Sequence, residues 1–435
     1  MLSRLVPFAF IFLSTNDMIL LMPILVQKFG GTSVKDATCI KRVAKIATDA
    51  QKNGYQVVVV VSAMGDTTDN LIDLAKEITK KPDPREYDLL LSTGEQISIP
   101  LVAMAIHDLG AKAISQTGLQ VGILTEDRHG KARITEIKTD KLKKYLSGGN
   151  IVVVAGFQGI SEATGEITTL GRGGSDTTAV ALAVALGAER CDIYTDEDGV
   201  FTTDPEIVRD VSRLKDISYE EMLELASLGA GVLHPRSVEI AKNYNMPMRV
   251  RSSFKPQDEG TLVKGVKEME LNNPVSGVAL DESQARIARV GVPDKPGIAA
   301  KVFESLAKKN ISVDMIVQST SKDGINEIAF TVDKDTIDES TKVTKEIAKD
   351  IGATGVTADT NIAKISIVGA GMIGRPGIAA AMFKALADTS INIQMISTSE
   401  IKVSCVIEAK DGDKAVKAIH KVFELDKLSK EKQKV

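Results

Sequence analysis

Little in this chain can support redox, metal or nucleic-acid chemistry. Its 435 residues hold three cysteines and four histidines. Cys39, Cys191 and Cys405 are far apart and odd in number, which excludes a disulfide framework and a thiolate metal site and points to a reducing, cytoplasmic compartment. No His/Glu pair has zinc-ligand spacing, so no protein-held metal centre is expected. The formal net charge is −4 with both signs mixed and no basic stripe, which excludes a nucleic-acid partner. Long apolar runs are also missing. The segment Leu5–Leu13, behind Arg4, has the look of a signal-peptide core, but Ser14-Thr15-Asn16-Asp17 breaks it and no small-residue cleavage site follows. No membrane span is expected there. Residues 1–22 read as an extension from an upstream start codon, outside the fold.

What is present is an ordinary globular composition, 43% hydrophobic and 26% charged, long enough for two or three domains. Residues 23–250 alternate strand and helix patterns. Pro23–Lys28, Gln56–Ser62, Ile151–Ala155 and Cys191–Thr195 read as strands, and the valine run after Gln56 suits a strand buried on both faces of a parallel sheet. Helical patterns fall at Lys35–Asn53, Asp88–Asp108, Lys138–Leu146 and Thr177–Leu186, with Gly54 in a C-cap position. This alternation predicts an αβα sandwich with a mostly parallel sheet and ligands at the carboxyl ends of its strands. Phe254–Gly260, with its proline and glycine, reads as the start of a linker.

Two glycine-rich loops stand between strands and helix patterns: Lys28-Phe29-Gly30-Gly31-Thr32-Ser33 and Gly171-Arg172-Gly173-Gly174-Ser175-Asp176. Free N–H groups at a helix start attract anions, glycine admits a phosphate close to the backbone, and Lys28 and Arg172 add positive charge. Either loop alone could be a tight turn, and Ser175 and Asp176 could be plain N-caps. Together they point to a site holding two anions. Neither matches GxxxxGK[ST], so a P-loop hydrolase is excluded. Arg172, on a glycine-flanked turn, suits bidentate carboxylate binding. Glu95 could be a first-turn helix residue. The acidic stretch Asp192–Pro205 is either solvated turns or a holder of magnesium–nucleotide.

The C-terminal part repeats itself. Pro293-Asp294-Lys295-Pro296-Gly297-Ile298-Ala299-Ala300 recurs as Ile373-Gly374-Arg375-Pro376-Gly377-Ile378-Ala379-Ala380, and Ile311–Ile316 recurs at Ile391–Ile396. A duplicated strand–turn–helix–strand module of this kind points to regulation or assembly. Gly369-Ala370-Gly371-Met372-Ile373-Gly374 fits the dinucleotide pattern GxGxxG, but it lies inside the repeat, its sister copy lacks it, and too little chain follows for a dinucleotide fold. His234 reads as structural.

The two loops, Ser62-Ala63-Met64-Gly65, Ser92-Thr93-Gly94-Glu95, Tyr194-Thr195-Asp196, His234-Pro235-Arg236 and the tandem repeat together resemble the aspartate kinase family in its compact monofunctional form, from about residue 24 to 425. The resemblance implies an amino-acid-kinase catalytic domain at 23–255, a linker at 256–284 and two α+β ferredoxin-like ACT domains at 285–355 and 356–428. It implies transfer of the γ-phosphoryl of ATP to the side-chain carboxylate of L-aspartate, the first step toward lysine, threonine and methionine. A carboxylate acceptor is already ionised near neutrality, so the lack of a histidine centre is no obstacle. Positioning and positive charge must do the work. By the same resemblance Lys28, Arg172 and Asp176 are catalytic. Ser62, Glu95, Arg172, Gly173, Gly174 and Ser175 hold aspartate, with Arg172 on a carboxylate and Glu95 on the α-ammonium. Lys28, Gly30, Gly31, Ser33, Thr195, Asp196, Phe201, Thr203 and Asp204 hold ATP, and Mg²⁺ rides mainly on the nucleotide phosphates.

The ACT modules imply an amino-acid effector, lysine or threonine, with Asp294, Gln318 and Ser321 at its site. Ala329, near a place where a polar residue can occur, favours lysine. Such modules pair between chains, implying a homodimer or a higher assembly. Two departures bear on ATP: Gly231 stands where many members carry lysine, and Glu206 where arginine often stands, leaving Lys215, Arg236 or Lys242 to compensate. Three other readings are open: an amino-acid sensor with a decayed kinase site, a kinase for another acceptor, and a nicotinamide dehydrogenase.

Overall fold

A computed structural model describes residues 22–228, 232–265, 273–319 and 325–428. The expectations about residues 1–21, Gly231 and Ser321 fall outside the described residues. The described residues form two compact units, one from 22–200 with 232–265 and the other from 201–228 with 273–319 and 325–428.

In the first unit the valine run sits at the centre of the sheet. Gln56–Val61 pairs in parallel with Ile24–Phe29 on one side and with Ile151–Ala155 on the other. The sheet continues in parallel through Arg190–Thr195 to Met248–Ser252 in one direction, and to Ala113–Gln116 in the other. Val57 to Val61 are fully buried, as expected where helices cover both faces of the parallel part of a sheet. Helix Ala37–Lys52 starts at Asp36, whose carboxylate accepts from Cys39 N at 2.8 Å, and buries Ile40, Val43, Ala44 and Ala47. Gly54 follows it at φ +89°, a backbone that favours glycine.

Helix Pro84–Asp108 begins with Asp83 as N-cap and proline in its first turn. By length and composition it could cross a membrane, yet half of its apolar window is buried within the fold. It packs Leu91, Ile99, Val102, Ala103 and Ile106 inward, and it carries the buried carboxylates of Asp88 and Glu95. A small four-stranded sheet lies after it: Ile134–Ile137, Ile123–Thr125, Gln158–Ser161 and Ile167–Thr169. Short strands of three or four residues give too little periodicity to be read from sequence.

The stretch expected to open a linker does not. Phe254–Gly260 joins Met248–Ser252 to the antiparallel strand Thr261–Lys264. Gly260 has φ +67°, and a Cβ there would stand 1.9 Å from Val250 O, so the turn requires glycine. The proline and glycine mark a reversal rather than an exit.

The second unit holds two four-stranded antiparallel sheets. One runs Ile316–Gln318, Ile325–Asp333, Gln284–Pro293, Gly355–Asp359, with helices Ile298–Ala307 and Ile337–Ile351. The other runs Gly277–Asp281, Ile362–Val368, Lys402–Glu408, Met395–Thr398, with helices Ile378–Asp388 and Gly412–Val422. Matching helices of the repeat are entered through Gly297 at φ +88° and Gly377 at φ +95°. The expected boundaries shift in one respect: Gly277–Asp281, taken as linker, is an edge strand of the second module. Ile362–Val368 is buried along its whole length and needs a partner on each side, which this strand supplies.

Residues 201–228 group with the second unit. Val278 N donates to Thr202 O at 2.8 Å, and Thr202 Oγ1 lies 3.0 Å from His420 Nε2. Glu221 Oε1 accepts from Ser276 Oγ at 2.6 Å and Ala370 N at 2.9 Å. The GxGxxG match dissolves in the same region. A Cβ on Gly369 or Gly371 would meet Pro274 O at 2.2 Å or Asn273 O at 2.4 Å, so close chain packing accounts for both glycines.

Candidate active site

The first glycine loop leaves the carboxyl end of strand Ile24–Phe29 in the large sheet, the second follows strand Ile167–Thr169 of the small sheet, and an ion pair joins them. Lys28, near the end of Ile24–Phe29, places its Nζ 2.6 Å from Asp176 Oδ1, with both side chains nearly buried. Asp176 sits in the first turn of helix Gly174–Leu186. Phe29 and Tyr194 stack with ring centroids 4.6 Å apart and tie the end of Ile24–Phe29 to its parallel neighbour Arg190–Thr195.

The loops differ in how they present their donors. The first was expected to open directly onto a helix, but Gly31–Val34 is a single 3₁₀ turn and the helix starts only at Ala37, already capped by Asp36. The dipole argument therefore fails for this loop. Its usefulness rests on Lys28 and on close backbone approach: a Cβ on Gly31 would stand 3.1 Å from Ala63 O and Gly65 O. Ser33 is buried and donates to Ser253 Oγ at 2.9 Å, tying the turn to the end of strand Met248–Ser252.

The second loop does open a helix. Gly173 is its N-cap, at φ +64° and with no side chain to occupy the first-turn donors. A Cβ on Gly173 would lie 2.2 Å from the His234 ring, so His234 is packed on the loop. His234 also caps helix Pro235–Asn243, its Nδ1 accepting from Arg236 N at 3.3 Å, and desolvation holds its pKa below the usual histidine range. Both facts fit a structural histidine. Arg236 donates to Leu170 O at 3.0 Å and Ala132 O at 2.8 Å, so its charge is engaged on backbone carbonyls and does not replace a missing phosphate-side cation. Arg172 is exposed and makes no ion pair among the described residues.

Glu95 is 3% exposed. Its Oε1 accepts from Ala63 N at 3.2 Å, while Oε2 is buried with no hydrogen-bond partner among the described residues. Desolvation pushes its pKa up to about 8. A buried carboxylate facing no cation is costly unless a ligand brings one. Ser62 follows strand Gln56–Val61 and donates its N–H to Phe29 O at 3.1 Å, which sets Ser62 beside the first loop. Gly174 and Ser175 are buried at the helix start, and a Cβ on Gly156 would strike the Ser175 side chain at 2.6 Å.

Thr195 and Asp196 end strand Arg190–Thr195, with Thr195 Oγ1 donating to Asp196 Oδ1 at 2.8 Å. Phe201, Thr203 and Asp204 belong instead to the second unit, where Asp204 Oδ1 accepts from Glu206 N at 2.7 Å. Asp294 is exposed and accepts from Asn326 Nδ2 at 3.1 Å; Gln318 is exposed at the end of an edge strand. Among the described residues no cluster of three or more His, Cys, Asp or Glu could hold a metal.

Two residues near the loops escaped the sequence reading. Phe157 takes φ +70°, rare for a bulky residue, and packs where a Cβ on Gly174 would stand 2.8 Å from its ring. Asp88 is fully buried beside Leu89-Leu90-Leu91, and a lone charge next to an apolar helical run was its available signal.

The fold and the paired loops define a phosphotransferase of the amino acid kinase class with appended regulatory modules. The amino acid kinase family model matches residues 23–252, and ACT domain models match 286–352 and 365–423. An aspartokinase from Bacillus sp. (strain MGA3) is 52% identical over 404 residues, covering 93% of this chain and 98% of that protein. The crystal structure of E. coli aspartokinase III with aspartate and ADP (R-state) matches at TM-score 0.78 and 28% identity, covering 92% of this chain and 99% of that one. The same enzyme with lysine and aspartate (T-state) matches at TM-score 0.70. The chain belongs to the aspartokinase family.

Proposed function

We propose that the chain phosphorylates the β-carboxylate of L-aspartate from ATP through the residues of the two loops and Glu95. The buried, unpartnered Glu95 Oε2 carries this reading, because it calls for a ligand cation and an amino-acid substrate brings an α-ammonium. Arg172, without an ion pair among the described residues, takes a substrate carboxylate in bidentate fashion. Gly173, Gly174 and Ser175 offer the uncapped helix start, and Ser62 borders the same space. A β-carboxylate oxygen attacks the γ-phosphorus, the bond from that phosphorus to the β–γ bridging oxygen breaks, and ADP leaves. No proton moves. Lys28, oriented by Asp176, lies against the transferring phosphoryl group and offsets charge as it shifts to ADP.

Gly30, Gly31 and Ser33 shape the nucleotide side of the first loop, with Thr195, Asp196, Phe201, Thr203 and Asp204 as further ATP-binding residues. The donor set suits a magnesium ion held mainly by ATP itself, since among the described residues no carboxylate cluster competes for it. When bound, the ion neutralises phosphate charge. The effector is an amino acid, with lysine favoured by the lysine complex of E. coli aspartokinase III. Asp294 supplies a carboxylate for an ammonium in the first module only, since Gly374 occupies its place in the second. The modules pair between chains to give a homodimer, and the enzyme works in the cytoplasm.

Hydroxylamine trapping tests the reading. ATP, Mg²⁺ and L-aspartate should yield aspartyl hydroxamate, less of it when lysine is added. A folded, ATP-binding protein that yields none would refute the kinase reading in favour of a sensor.

A further inference from the structure

We propose that Asp88 is a positioning residue that sets the spacing between the ammonium-holding Glu95 and the carboxylate-holding Arg172. The inference rests on the roles given to those two residues above. Asp88, Ser92 and Glu95 stand at i, i+4 and i+7 of helix Pro84–Asp108, on one face. Each grips a different piece of the site.

Asp88 is 0% exposed, and both of its oxygens are occupied. It accepts from Thr169 Oγ1 at 2.6 Å, Thr169 N at 3.0 Å and Gly130 N at 2.9 Å, and His129 Nδ1 lies at 3.0 Å. One turn further, Ser92 O accepts from Gln158 Nε2 at 2.8 Å. Gln158 and Thr169 are directly opposed across the hairpin Gln158–Ser161/Ile167–Thr169. The helix therefore grips both strands of that hairpin at one level. Glu95, the next turn on, reaches Ala63 N after the central strand.

The chain leaving Thr169 runs through Leu170 straight into Gly171 and Arg172. Gly130, Asp88's other ligand, lies under that loop: a Cβ on Gly171 would meet Gly130 O at 3.0 Å, and Gly171 holds φ +79°. Asp88 thus fixes the last strand residue before the Arg172 loop and the backbone on which the loop rests. One rigid helix carries the carboxylate that meets the substrate's ammonium and, two turns earlier, the anchor of the loop that meets its carboxylate. The distance between the two recognition points becomes a property of one helix. Relaxing the anchor should loosen aspartate binding and leave ATP binding alone.

The test uses the full chain with Asp88→Asn, which replaces one acceptor oxygen by an NH₂ facing donors, and with the milder pair Thr169→Val and Thr169→Ser. Asp88→Asn should raise KM for aspartate about tenfold or more, with KM for ATP within about twofold. Thr169→Val should raise KM for aspartate several-fold, and Thr169→Ser, which restores the hydroxyl, should return it to the wild-type value. An unchanged aspartate KM in folded Asp88→Asn overturns the proposal, as does an equal rise in both KM values. If Asp88→Asn does not fold, an unchanged aspartate KM in Thr169→Val overturns it. Failure of the wild-type protein to phosphorylate aspartate would be seen first, in the hydroxamate assay, and would count against the underlying reading instead.

Discussion

Aspartate binding should release a proton, and replacing Glu95 by glutamine should abolish that release. In the empty site desolvation raises the Glu95 pKa from 4.5 to about 8. At pH 7 a group with that pKa is roughly 90% protonated, and its proton must leave before the carboxylate can face an ammonium. Aspartate affinity should therefore climb about tenfold per pH unit up to about pH 8, or ~1.4 kcal/mol per unit, and level off above it. Calorimetry without nucleotide, in buffers of different ionisation enthalpy, should find close to one proton released per aspartate at pH 7. Glutamine mimics the protonated acid, so Glu95→Gln should bind with no pH dependence between 6 and 9. At pH 9 it should bind on the order of 10²–10³ more weakly than wild type, as expected for loss of a buried charged partner. The stability profile gives an independent check with a definite sign. The folded pKa lies above the unfolded one, so the contribution of protonated Glu95 is complete below pH 4.5 and is lost as pH rises toward about 8. The ligand-free Glu95→Gln protein should thus gain in Tm relative to wild type as pH rises from 4.5 to about 8, with the difference constant above that. Wild-type affinity that stays flat from pH 6 to 9, with no proton release, would refute the reasoning.

Lys28→Ala should lower kcat by about 10³ or more while circular dichroism and Tm show a folded protein, since the lost charge faces the transferred group; near-normal turnover would remove Lys28 from the reaction. Gly173→Ala should cost both stability and activity. The added methyl meets the His234 ring at 2.2 Å and the backbone is at φ +64°, so a loss on the order of 2–4 kcal/mol by denaturant titration is expected, and a loss below about 0.5 kcal/mol would contradict the packing. Asp294→Ala should raise the lysine concentration needed for inhibition at least tenfold with uninhibited kcat/KM for aspartate within about twofold. Unchanged inhibition would take Asp294 out of the effector site.

The parallel sheet was legible because its strands are strongly written: Gln56–Val61 is valine at five successive buried positions, and Ile151–Ala155 follows the same rule. The helix starts were less legible. Gly30-Gly31 and Gly173-Gly174 look alike in sequence, yet one leads to a 3₁₀ turn and the other to an uncapped helix. The difference lies in Asp36, whose carboxylate fills the first-turn donor of Cys39 farther along the chain. The site's charged residues could be named from motifs, but their partners could not. Nothing local to Lys28 points to Asp176, 148 positions away at the start of the helix that follows the small sheet. Asp88 and Phe157 were missed for the same reason, since the first is explained by Thr169 and Gly130 and the second by Gly174. Residues 201–228 lie within the span matched by the amino acid kinase model, but hydrogen bonds such as that from Ala370 N to Glu221 cross about 150 residues of intervening chain and leave no local trace in the sequence.

The strand Gly277–Asp281 has a consequence for how the regulatory half can be divided. It is the first piece of the second module to be synthesised and must wait to dock, because its partner Ile362–Val368 comes only after the whole first module. The first module is thus a closed loop inserted between two adjacent strands of its neighbour, like a bead clasped by the string that carries it. A fragment starting at residue 282 would keep every residue of the sequence repeat and still expose the fully buried flank of Ile362–Val368 as a raw sheet edge, open to pairing with other chains. A soluble regulatory fragment must start ahead of Gly277, and a graft of the second module must carry two separate stretches of chain.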